Sequence, residues 1–534
     1  MTQIARAPTF ILTTFLVALA GCGPSNDHPL TGGGGAVLRR GLSGEPSSLD
    51  PAVGSDNFST EVMQDLYEGL TSESPTGQTM PAVASSWTVD ASGKQYTFHL
   101  RADARWSNGR PVRAAEFVAA WRRVVDPKHG SPVADDLRLI AGAASIIKGE
   151  APINSLGVAA PSDDILIVTL EQPTPYLPQV LTHSSTFPIF SEESASSHGG
   201  SSWVSNGPYI LTSWRAGANL QLSRNTAYWD RANARIKQVE YEFTSDDTAQ
   251  YARYRAGQLD LTDDVPSNAI PSLREARSTE LVIAPFLATA YYGLNLAANP
   301  MAGNPKLRQA LTLAIDRQKL VTSLGFGQAP AFGFIPPGVW NYEQQSFPWK
   351  TYSDADRNAE ARRLYAEAGY TAQSPLRLRL LYNSNVVIKQ TAILIAAMWK
   401  ETLGIDTDLN GEEYRVFLQS RHDTTRWDVA RLGWTADYND ASNFLDIFRQ
   451  KSVNNDEHYI NPKVDALLDS AAANADPMQR RHTLEAAERL VLADYPVIPL
   501  YHFVSKRLVK PYVSGVHPNP LNGVPSKALS IQPH

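Results

Sequence analysis

Trp427-Asp-Val-Ala-Arg-Leu-Gly-Trp-Thr-Ala-Asp-Tyr-Asn-Asp440 opens as a strand and ends as a loop. From Trp427 to Trp434 it carries aromatic and β-branched side chains, and it then breaks into a polar cluster. At the break an indole, Trp434, and a carboxylate, Asp437, stand three positions apart, beside Tyr438 and Asn439. A strand end that sets an acid against an aromatic wall suits a cationic group. A solvated acid at an ordinary strand-to-loop transition has the same local pattern, so the decision falls to the surrounding chain.

Outward from this stretch, strands alternate with helices. Before it, apolar spacing predicts helices over 305–324, 355–368 and 387–403 with a strand over 376–382. After it come a helix over 477–494 and a strand over 497–503. The first half of the chain shows a strand over 37–42 and a helix over 59–70. A hairpin over 86–100 turns at Ser92-Gly93, and a helix over 114–125 points Phe117, Val118, Trp121 and Val125 inward. A strand over 164–170 follows, then strands near 209–210, 220–222 and 239–243 and a helix over 248–256. This alternation predicts an α/β protein with a partly parallel sheet in each half.

The N-terminus reads as a secretory signal. Arg6 supplies the positive charge, and the apolar run from Phe10 to Ala20 is too short to span a bilayer. It ends in Leu19-Ala20-Gly21-Cys22, the bacterial lipobox pattern, which makes Cys22 the expected lipidated residue and residues 1–22 the signal peptide. Cys22 is the single cysteine of 534 residues, so no internal disulfide and no cysteine-based metal site is expected. Residues 23–36 are rich in Gly, Pro and Ser and read as a flexible tether. The roughly 500 residues that remain predict two to four domains, a hydrophobic content of 43% is ample for their cores, and a net charge of −6 gives no reason to expect nucleic acid.

A search for catalysis is negative. The sequence has no zincin helix, no Gly-x-Ser-x-Gly elbow and no Walker loop, and Gly325-Phe-Gly327 follows a helix instead of opening one. The eleven histidines have no metal-type spacing. No metal, no cofactor and no catalytic residue is expected; the profile is that of a binder.

Several stretches together resemble the oligopeptide-binding proteins of bacterial ABC importers, the large extracytoplasmic solute-binding family. They are Ser48-Leu-Asp-Pro51, Asp65-Leu-Tyr-Glu-Gly-Leu70, the segment from Tyr96-Thr-Phe-His-Leu to Arg110-Pro-Val112, Asn206-Gly-Pro-Tyr209 and Lys306-Leu-Arg-Gln-Ala-Leu311. Ala314-Ile-Asp-Arg317, Ala366-Glu-Ala-Gly-Tyr370, the segment 428–439 and Arg507-Leu-Val-Lys-Pro511 continue in the same register. The resemblance implies a two-lobed periplasmic binding protein fold, type II-like and of the larger three-domain kind, with the ligand enclosed between lobes. Domain I would comprise 37–67, 197–287 and 503–534, domain II 68–196, and domain III, the second lobe, 288–502.

The implied ligand is a short peptide held extended by strand backbones, handed to an ABC permease with a separate ATPase encoded elsewhere. The implied protein is a monomer in the periplasm or cell envelope, held to the membrane by its lipid. In the family pattern the acid of Gly-Trp-x-x-Asp receives the peptide's α-amino group. That role falls on Asp437, with Gly433 and Thr435 offering backbone bonds and Trp434 forming the wall. Arg421 and Arg431 match cations for the peptide carboxylate, and Asn383, Trp399 and Tyr501 match further ligand contacts. This sequence also departs from the pattern. Ala288 and Thr435 stand where the family has two cysteines, Gly325 and Ile388 where it has Lys and His, and Val133 where it has an aromatic residue. The same fold with another ligand (a murein peptide, nickel chelate, haem or opine) and a non-transport peptide sensor remain open.

Overall fold

The computed structural model describes residues 37–190, 203–276, 278–371, 374–517 and 519–533. The expected signal peptide, Cys22 and the tether lie outside them. Among the described residues no helix is long and apolar enough to cross a membrane.

Two large hydrophobic cores organise the chain. One is built from residues between 38 and 261 together with 509–529, the other from residues between 287 and 501. In the first, strand Val37–Leu42 runs parallel to Gln238–Phe243, which pairs antiparallel with Asn219–Arg224, and that strand with Tyr209–Arg215. Helix Asn57–Leu66 packs Val62, Met63 and Leu66 inward, and its first turn is capped by the Asp56 carboxylate, which accepts from the Ser59 N–H at 2.8 Å. The helix stops four residues short of the expected 70. The Leu66 carbonyl accepts from the Gly207 N–H at 2.9 Å and so leaves the helical ladder.

The expected hairpin forms as Ala84–Val89 and Gln95–Leu100, extended by Ile165–Thr169 and Val158–Ser162 into a four-stranded antiparallel sheet. Asp90 fixes its turn by accepting from the N–H groups of Lys94 and Gln95 at 3.1 and 2.9 Å. Helix Ala114–Val125 buries Phe117, Val118, Trp121 and Val125 against it, as the periodicity predicts.

The second core surrounds a mixed six-stranded sheet in the order Ala329–Pro330, Val497–Leu508, Leu281–Leu294, Val429–Thr435, Arg377–Asn383 and Asp406–Glu412. The last three strands are mutually parallel and the others antiparallel. Strand Leu281–Leu294 has no counterpart among the expected elements. Its second half is buried at every position, so the polar alternation that marks a half-buried strand is missing. The helix expected over 305–324 is two helices, Pro305–Leu313 and Arg317–Leu324. Asp316 caps the second by accepting from Lys319 N–H at 2.8 Å. Arg317 turns inward to donate to the carbonyls of Thr312, Ile315 and Pro499.

Two long strands link the cores. Leu281 and Leu508 pair at one end of the ladder and Gly293 and Val497 at the other. Their register breaks between Pro285 and Thr289, with Phe286, Leu287 and Ala288 left out of the pairing. The chain therefore passes between cores through a local irregularity in a two-stranded ribbon.

Candidate functional site

A cleft lies between residues of the two cores, in two adjoining sections that share Asp263, Phe286 and Asn522. One section, about 430 Å³, is lined by Glu61, Glu73 and Thr182 on one side and by Thr435 and Asp437 on the other. The second, about 520 Å³, holds Arg431, Tyr501, Ile388 and Lys506.

Strand Val429–Thr435 runs along this cleft. One of its edges is paired at every residue with Leu281–Leu294. The other edge meets Arg377–Asn383 only at Val429 and Ala430. From Arg431 to Thr435 that edge faces no strand among the described residues, and it is open to an added one. The strand's period of two puts Arg431, Gly433 and Thr435 on one face, half-buried or exposed, and Ala430 and Leu432 on the buried face. An added Cβ on Gly433 would meet nothing closer than the Arg431 guanidinium at 3.6 Å, so there is room above this backbone.

The same alternation places Trp434 on the core side. It packs, half-buried, against the second core and is absent from the residues that line the two sections. What the indole does is hold Asn443. Trp434 Nε1 donates to Asn443 Oδ1 at 2.8 Å, and Asn443 Nδ2 donates to Asp437 Oδ2 at 3.1 Å. Asp437 opens onto the cleft with this one neutral side-chain partner. Burial pushes its carboxyl above the usual range, the Asn443 bond opposes that shift, and Asp136 and His183 act in opposite directions from across the cleft. A carboxylate under-solvated at the wall of a cleft is suited to receiving an ammonium group.

The next turn of the chain holds Asp437 in place. Helix Ala441–Leu445, which carries Asn443, is capped by Asp440, whose Oδ1 accepts from Ser442 N–H at 2.9 Å. Asp440 and Arg480 form a bidentate pair at 2.7 Å on both arms, with side chains 1% and 7% exposed. The Arg480 guanidinium lies 5.3 Å from the Tyr176 ring, and Tyr176 stacks on Tyr438 at 5.0 Å and 4°. Asn443, Arg480 and Tyr176 are absent from the sequence expectation. Asp440-Ala-Ser could have been read as a helix cap, which would have put Asn443 on the first turn.

The remaining expected residues separate. Arg431 and Tyr501 line the cleft, and no carboxylate pairs with Arg431 among the described residues. Arg421 points elsewhere: its Nε lies 3.5 Å from the buried Asp456, and it lines neither section. Trp399 is fully buried, donating to the Leu311 carbonyl at 2.9 Å and packing on Tyr292, so no ligand reaches it in this arrangement. Asn383, at the end of its strand, is buried, with an Oδ1 that has no hydrogen-bond partner among the described residues. Among the departures, Ile388 lines the cleft, Gly325 caps a helix with φ of 74°, and Val133 is buried. Ala288 and Thr435 lie directly opposite each other across the antiparallel pair. Among the described residues no group of acids and histidines is arranged to hold a metal ion.

Comparison with known proteins gives one direction. The model of the bacterial extracellular solute-binding proteins, family 5, matches residues 78–456. The periplasmic oligopeptide-binding protein OppA of Salmonella typhimurium is 37% identical over 509 residues, covering 93% of each chain. Among solved structures, MppA, a periplasmic murein tripeptide binding protein in its unliganded open form, superposes with a TM-score of 0.86 at 33% identity, covering 93% of this chain and 97% of that one. OppA of Haemophilus influenzae in complex with the peptide RPPGFSPFR gives 0.72 at 34% identity, covering 93% and 98%.

Proposed function

This chain belongs to the bacterial extracellular solute-binding proteins of family 5, and on that premise we propose that it captures short peptides in extended conformation and delivers them to an ABC permease. It is a binding protein with the two-lobed α/β fold of its relatives, and not an enzyme. The observation that carries the peptide reading is the open strand edge from Arg431 to Thr435, which leads to Asp437. A peptide added along that edge takes backbone bonds that are indifferent to sequence, while Asp437 takes the α-ammonium. At nearly equal identity the chain superposes better on an unliganded open form than on a peptide complex. Capture is then a ligand-driven shift from this arrangement to a closed one.

The three-domain division at 67/68, 196/197, 287/288 and 502/503 belongs to the same proposal; the 196/197 boundary lies outside the described residues. The register break between Pro285 and Thr289 supports a hinge at 287/288 and 502/503.

Arg431 and Thr435 are four residues apart on one strand, roughly 13 Å. Three extended residues span about 10 Å, so a tripeptide with its amine at Asp437 ends within reach of the long Arg431 side chain, and longer peptides pass beyond it. Calorimetry on alanine peptides of two to six residues, as free acids and as amides, tests the reading. Amidation is expected to weaken the tripeptide several-fold. Peptides of five or more residues should change by less than about twofold, or ~0.4 kcal/mol, because a carboxylate in water-filled space gains little. Equal penalties at every length would exclude Arg431 as the carboxylate partner, and no binding at any length would exclude the peptide reading.

Cys22 is proposed as the lipid anchor of a monomeric cell-envelope protein. Cys22→Ser should release the protein to the soluble fraction with peptide affinity unchanged, since the tether separates anchor from fold. A variant that still sediments with membranes after a high-salt wash would rule the anchor out.

A further inference from the structure

The cleft section around Asp437 has an unbalanced lining. Among the described residues its lining includes four carboxylates, Glu61, Glu73, Asp263 and Asp437, and no lysine or arginine. Two of the four are compensated from behind. Glu61 is paired with Arg40, and Asp263 lies 3.4 Å from Arg507. Asp437 has the neutral Asn443. Glu73, on the opposite wall from Asp437, has two long contacts with neutral groups: Thr182 Oγ1 donates to its Oε1 at 3.5 Å and Asn519 Nδ2 to its Oε2 at 3.4 Å. The histidine of the section, His183, sits 3.4 Å from Asp136.

Among the described residues, two carboxylates with no ion-pair partner thus share one section of the cleft, where a peptide α-amine brings a single positive charge. We propose that Glu73 is a specificity-determining residue that receives the side-chain cation of the peptide's first residue, so that peptides beginning with lysine, arginine or ornithine are preferred. This rests on the reading of Asp437 as the amine acceptor. The environment of Glu73 fits the role. Burial pushes its carboxyl up to about 7, opposed only by the two neutral donors, so the anion is poorly stabilised until a cation arrives. An arriving ammonium would find a desolvated partner, and such a charge-assisted bond is stronger than one at an exposed site. Beyond Phe286 the balance changes: Arg431 and Lys506 enter the lining, and Lys506 already lies 3.1 Å from Asp264. A basic side chain gains less there, so the preference belongs to the first residue.

Calorimetry with Lys-Ala-Ala and norleucine-Ala-Ala decides it, because the two side chains share a four-carbon stem and differ in charge. The wild type should bind the lysine peptide about tenfold more tightly, ~1.4 kcal/mol. With Ala-Ala-Lys against Ala-Ala-norleucine the ratio should stay below about threefold. Glu73→Gln keeps acceptors for Thr182 and Asn519 while removing the charge. It should bring the first-position ratio within about twofold. A wild type with no lysine preference at the first position overturns the inference whatever the variant does, and so does a preference that survives in Glu73→Gln. If neither peptide binds the wild type, the peptide reading itself falls, which separates the two failures.

Discussion

Asp437→Asn is expected to lower affinity for a free tripeptide by at least about tenfold while leaving the unliganded protein as stable as before. The substitution is isosteric, and an asparagine oxygen can still accept from Asn443, so the loop keeps its geometry. What is lost is the charge-assisted bond to the ligand's ammonium. Such bonds contribute roughly 1.5–3 kcal/mol net, which corresponds to about ten- to 150-fold in affinity. Unliganded, the carboxyl is pushed upward by burial, so removing its charge relieves a cost and does not incur one. N-acetylating the peptide should produce a similar loss, and the two changes should not add, because each deletes one side of the same contact. Additive losses in that double cycle would place the amine elsewhere.

Arg480→Leu should destabilise the fold by roughly 3–5 kcal/mol, the usual cost of leaving one partner of a buried ion pair unpaired. Asp440 is 1% exposed and cannot relax into water, and it also caps the helix that carries Asn443. A second substitution, Asp440→Asn, removes the stranded charge and keeps a residue that caps helices well. The double variant is therefore expected to recover part of the loss. Urea denaturation of wild type, single and double variants measures this. A single-variant loss below about 1 kcal/mol would show that the pair is not the support of the Asp437 loop. The peptide affinity of Arg480→Leu, measured below its unfolding range, should also fall, because the Asp440–Asn443 turn sets where Asp437 points.

The stretch 427–440 was legible because its information is local. A β-branched and aromatic run followed by Gly, Asp and Asn states a strand and its end, and the strand is Val429–Thr435. Helices Ala114–Val125 and Pro477–Asp494 follow their apolar periodicity to the residue. Periodicity failed where burial removes it, along Leu281–Leu294, and where a cap interrupts a continuous apolar pattern, at Asp316. Asp437 is matched by motif, and the fold places it on the cleft. Trp434 and Arg421 were matched by motif too, but the strand's alternation turns Trp434 to the core, and Arg421 is drawn to Asp456.

The α/β class, most of the elements and, through the run of resembling segments, the family could be read from the chain alone. These depend on short-range patterning and on motifs that the chain spells out in order. Only packing decided which edge of Val429–Thr435 stays open, that Asn443 links Trp434 to Asp437, that Arg480 holds Asp440, and that Glu73 faces the same space as Asp437. Each depends on how strands, sheets and cores come together in space, which no local pattern records. A carboxylate shows the same letter whether a cation stands behind it or not. Glu61 and Glu73 line one section of the cleft, and the difference between them is the nearby Arg40, which the fold brings to Glu61 and not to Glu73.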